Sequence, residues 1–120
     1  MTIPNKSDLT SALRRFAQEL RDIAKTYQGS VAAQLSLEEV TGIARIAEKA
    51  AESIDDTNRN YVHPDTAQTL AGLADQIAAV ADESTDDQYA TSLKIASVAL
   101  RTFVFRQTPF VTGDGLKFGE

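Results

Sequence analysis

Four stretches of this chain carry apolar residues in alternating steps of three and four, and that spacing constrains the fold more than any other feature. The stripes are Leu9, Leu13, Phe16, Leu20, Ile23 and Tyr27; Val40, Ile43, Ala47, Ala50 and Ile54; Leu70, Leu73, Ile77 and Val80; and Tyr89, Leu93, Ala96, Leu100 and Phe103. Such spacing lines up one face of a helix, and four such faces need one another to leave water. The pattern predicts an all-α chain, an antiparallel four-helix bundle with helices at about 7–28, 36–57, 64–82 and 85–106. Each helix would be about 30 Å long at 1.5 Å per residue, and matched lengths favour antiparallel packing.

Local signals set the expected boundaries. Ser7 and Asp8 suit the start of the first helix, and Gly29 suits a left-handed cap at its end. Ser36 and Glu39 have capping-box spacing, flanked by Leu35 and Val40 as a hydrophobic staple. The polar run Asn58, Arg59, Asn60 ends the second helix, and Pro64 fits the first position of the third, where its missing N–H costs nothing. Thr85 and Gln88 have the spacing of a second capping box. A second stripe on the third helix, Ala67, Ala71, Ala74, Ala78 and Ala81, predicts close approach to Ala44, Ala47 and Ala51 of the second. Gly42 and Gly72 each cost about 1 kcal/mol against alanine in a helix interior, and close backbone contact is the expected offset.

Pro109 interrupts the last helical pattern, which divides the chain into a bundle domain over 1–107 and a C-terminal tail over 108–120. Thr112, Gly113, Asp114 and Gly115 read as a turn between Phe110-Val111 and Leu116-Lys117-Phe118, the pattern of a small hairpin. So aromatic a tail is expected to pack on the bundle or on a partner, with Phe105, Phe110 and Phe118 making the contact.

Composition narrows the function. No apolar run approaches the 18 residues or so of a membrane span, and Met1 to Leu9 shows no basic-then-apolar leader. A cytoplasmic location without membrane association is therefore expected. The chain has no cysteine, which removes disulfides, thiolate metal sites and cysteine nucleophiles. His63 is the only histidine, too few for a di-iron bundle or an imidazole zinc site. Phosphotransfer on His63 would want a nearby base, yet no Lys or Arg occurs from Asn60 to Leu93. The acidic pairs lack calcium-loop spacing, and a net charge of −5 disfavours nucleic acid. No catalytic residue, metal or cofactor is expected.

Charge is unevenly spread. Residues 26–59 carry three bases and six acids, residues 60–93 none and six, while residues 1–25 carry five and three. An acidic second and third helix beside a basic first and fourth predicts a polarised molecule, and a concentrated negative field speeds and orients association with a positive surface. The functional expectation is a small acidic interaction protein, of the adaptor, inhibitor, immunity-protein or antitoxin kind, able to form a homodimer. Its partner-binding residues would be Asp75, Asp82, Glu83, Asp86 and Asp87, with Glu48, Glu52, Asp55 and Asp56 behind them. The alternative is a small all-helical enzyme or phosphotransfer protein using His63 or the arginines of the first and fourth helices, Arg14, Arg15, Arg21, Arg101 and Arg106.

Overall fold

The stripes close into helix faces as their spacing demands. In the computed structural model, which describes residues 6–56 and 64–107 apart from a few side chains at helix ends, the helices are α1 (Lys6–Thr26), α2 (Val31–Gln34), α3 (Leu37–Asp55), α4 (Pro64–Glu83) and α5 (Asp87–Gln107). The described residues are all-helical, without strands. The second, third and fourth predicted helices are thus α3, α4 and α5, and α2 is an added turn of helix in the expected loop. One core joins Leu13, Phe16 and Leu20 of α1, Val40 and Ala47 of α3, Ile77 of α4, and Tyr89, Leu93 and Val104 of α5. No described helix is long and apolar enough to cross a membrane.

Cross-helix contacts give the relative directions. Arg14 meets Asp55 and Arg21 meets Glu48, so α1 and α3 run antiparallel. Asp82 meets Lys94 and Asp75 meets Arg101, so α4 and α5 do too. Packing is most extensive within these two pairs, less so between α1 and α5, and much slighter between α3 and α4. The contact between α3 and α4 that the small-residue stripes predict is therefore a minor one. At one position of the α4 stripe the contact is with α5: buried Ser97 donates to the carbonyl of buried Ala74 at 2.7 Å. The short turn from Glu83 to Asp87 makes α4 and α5 neighbours.

Several local expectations fail for identifiable reasons. Ser36 does precede α3, but its hydroxyl makes no cap bond; it goes to the Ala33 carbonyl and to Tyr89. Leu35 is 90% exposed while Val40 is buried, so the staple is not made. The first residue before α5 is Asp86, not Thr85: its carboxylate accepts from the Tyr89 N–H at 3.1 Å and outcompetes a neutral hydroxyl for that helix end. Gly29 lies outside the left-handed region, and a side chain at Gly42 or Gly72 would meet open space, so none of the three marks a close approach. His63, the C-terminal stretch with Phe110 and Phe118, its expected hairpin, and the side chains of Phe105 and Arg106 lie outside the described residues.

Candidate functional site

At the end of the molecule where α2 and the α4–α5 turn meet, a ring of hydrogen bonds closes on itself. Tyr89, fully buried in the first turn of α5, places its hydroxyl 2.8 Å from Ser36 Oγ. Ser36 Oγ donates onward to the Ala33 carbonyl at 3.3 Å, so its lone pair is left to accept from Tyr89 Oη. The Ala33 N–H donates to Ser30 Oγ at 3.2 Å, which caps α2. Ser30 Oγ in turn donates to Asp86 Oδ2 at 2.7 Å, and Asp86 Oδ1 accepts from the Tyr89 N–H. Tyr27 packs on Tyr89 with ring centroids 5.6 Å apart, in the tilted arrangement that aromatic quadrupoles favour. Residues 30–36 are thereby fastened to the start of α5.

The electrostatics follow from these bonds. The Ser30 hydroxyl, then the Tyr89 N–H, hold the Asp86 carboxyl below its ordinary value of 3.8. Burial pushes the Tyr89 hydroxyl up from its ordinary value of 10.0. No buried side-chain nitrogen or oxygen among the described residues lacks a partner.

The fastened turn exposes its opposite face. Ala33 is fully buried, whereas Val31 and Leu35, four apart on one side of the turn, are 86% and 90% exposed. Beside Leu35 lies a cleft of about 200 Å³ lined by Ala32, Ser36, Glu39, Val80, Glu83 and Thr85. Two apolar side chains thus stand on a rigid base with Glu39 and Glu83 at their edge. Sequence reasoning missed this pair, because VAAQL is one helical turn and a single turn shows no periodicity.

The nine predicted acidic residues divide. Asp82, Glu83, Asp86 and Asp87 gather at the α2 end, while Glu48, Glu52, Asp55 and Asp56 lie toward the far end of α3, and they do not form one patch. Four of them are in ion pairs: Asp75 with Arg101 at 2.6 Å, Asp82 with Lys94 at 3.1 Å, Asp55 with Arg14 at 2.6 Å, and Glu48 with Arg21 through two hydrogen bonds. The Arg21 guanidinium lowers the Glu48 carboxyl, and Glu48 raises Arg21 in return. Glu52, Asp56, Glu83 and Asp87 are exposed and outside any ion pair among the described residues. Acidic α3 and α4 beside basic α1 and α5 therefore balance charge across the two hairpin seams.

The bases do not converge either. Arg14 and Arg21 turn toward α3, Lys94 and Arg101 toward α4. An open hollow of about 430 Å³ between α1 and α3 gathers Arg21, Lys25, Gln28, Glu38 and Thr41, with the Arg21 guanidinium committed to Glu48. No group of three or more potential metal ligands occurs among the described residues. Compared with known proteins, the chain matches no family model, no curated protein and no solved structure.

Proposed function

We infer that this chain is an antiparallel four-helix bundle acting as a small acidic interaction protein, in the manner of an adaptor, inhibitor, immunity protein or antitoxin, and that it docks through its α2 end. The carrying observation is the pair Val31 and Leu35, left almost wholly in water on a turn that is hydrogen-bonded from beneath. Leaving a leucine exposed forgoes roughly 1.5–3 kcal/mol of burial, and a rigid base lowers the ordering cost when a partner covers it. Glu39, Glu83 and Asp87 supply the charge that selects a basic rim around that partner's apolar pocket, in keeping with the acidic surface expected from sequence. The reading assigns no catalytic residue and no cofactor, and it places the cysteine-free chain in the cytoplasm.

The test compares wild type with Leu35→Ser and with Glu39→Gln/Glu83→Gln as bait in the source cell's lysate. Leu35→Ser should release the specific partner at an unchanged melting temperature. The double charge variant should slow association at low salt and flatten its salt dependence. Equal retention of every partner by Leu35→Ser would sink the proposal.

A further inference from the structure

A helix that faces water carries charge on its outer side, and α1 follows that rule with Arg15, Gln18, Asp22 and Lys25 exposed. The outer side of α5 does not. Between Gln88 and Thr102 its only charged residues are Lys94 and Arg101, and both turn aside to Asp82 and Asp75 of α4. Facing outward are Gln88, Thr91, Ile95, Val98 and Thr102, all exposed, with Ile95 at 66% and Val98 at 60%. They alternate in steps of three and four, the spacing of a seam between two paired helices. The apolar residues lie at the middle of this seam and the polar ones at its ends, as in a protein interface.

We propose that this face binds a second copy of the chain, α5 against α5, antiparallel about a two-fold axis between Ile95 and Val98. It uses none of the residues assigned above to docking at the α2 end. Ile95 with Val98, and Thr91 with Thr102, are spaced evenly about one midpoint of the helix. The axis therefore sets each Ile95 on the second copy's Val98 and each Thr91 on the second copy's Thr102.

The α1 rim of the face repeats the match in charge. Arg15 borders a hollow of about 120 Å³ with Ala99 and Phe103, and Asp22 borders one of about 280 Å³ with Ser92 and Ile95. Glu19 and Ala96 border both hollows, so Arg15 and Asp22 stand on opposite sides of the midpoint. The axis exchanges these heights and returns the α1 rim to the α1 rim of the second copy. Arg15 then stands level with the second copy's Asp22, at both ends of the seam, and Glu19 stands between the arginines of the two copies. Arg15 and Asp22 are exposed, and neither is in an ion pair among the described residues. On the other rim, Lys94 and Arg101 arrive already balanced by Asp82 and Asp75. The seam from Gln88 to Thr102 is about 21 Å long at 1.5 Å per residue, short for an interface, so the dimer is a weak one.

Sedimentation of the full-length protein over a wide concentration range should show a reversible monomer–dimer equilibrium. Ile95→Gln/Val98→Gln should weaken it by at least about tenfold at an unchanged melting temperature, since both side chains stand in water. Arg15→Asp should weaken it too, Arg15→Asp/Asp22→Arg should restore it, and Leu35→Ser should leave it unchanged. Because the chain has no cysteine, Thr91→Cys and Thr102→Cys chains can report the register. Mixed together they should be joined by a short bis-maleimide, whereas either alone should not, because like positions lie about 16 Å apart along the seam. The proposal is overturned by a monomer at every concentration, by an undiminished dimer in Ile95→Gln/Val98→Gln, or by failure of the double charge swap to restore it. Cross-linking of either cysteine variant alone in preference to the mixture would overturn it as well. So would loss of the dimer in Leu35→Ser, which would place the second copy on the α2 end.

Discussion

The α2 end and the helix flanks are held by opposite means. At the end, Ser30, Ala33, Ser36, Asp86 and buried Tyr89 are linked in a closed ring of hydrogen bonds, so that replacing a side chain of the ring leaves a neighbour's bond unmade. Along the flanks, ion pairs such as Arg14–Asp55 cross the seams with side chains 49% and 39% exposed, and water can replace either partner. A connected, partly buried network specifies one geometry, whereas separate solvated pairs merely tolerate it. The end should therefore be brittle and the flanks forgiving.

The largest effect belongs to Tyr89. Truncation to alanine should cost about 3–5 kcal/mol, as for other buried aromatics, while Tyr89→Phe and Ser36→Ala should each cost about 1–3 kcal/mol through the stranded hydroxyl or lost bond. A double-mutant cycle in urea should show the two coupled. Additive costs would mean that the ring is not a unit.

Next comes Asp86, read by pH. Its carboxyl sits below its ordinary 3.8 in the folded protein. The stability it adds is thus complete above that value and is lost as pH falls through the lower folded value. Asp86→Asn keeps a cap acceptor but removes the charge, so its melting temperature should vary less with pH below about 4 than that of wild type. Parallel curves for the two proteins would break the assignment.

On the flanks, Gly42→Ala and Gly72→Ala should each stabilise by about 0.5–1 kcal/mol, since the added methyl meets open space in a helix. Destabilisation by either would reveal packing that the flank does not show. Smallest of all, an Arg14→Ala/Asp55→Ala cycle should give a coupling of at most about 1 kcal/mol, shrinking with added salt. A larger coupling than that of the Tyr89–Ser36 pair would reverse the comparison.

Legibility followed the same division. Long stripes such as Leu9 to Leu20 and Val40 to Ile54 were readable because helical period is a property of neighbours in sequence. Ser36 carried the right letter for a cap, yet its hydroxyl answers Tyr89, 53 positions away. Asp75 and Asp82 were visible as acids, but not as the counterparts of Arg101 and Lys94.

What the sequence by itself determined is the helical character, the long elements and the inward faces, since apolar periodicity acts through local geometry and solvent alone. Which helices pair, where the small-residue stripes go, which charges cancel, and that Val31 and Leu35 stand in water were decided only in three dimensions. Each of these depends on contacts between residues far apart in the chain, and their relative closeness is set by turns and packing volume that no single stretch encodes.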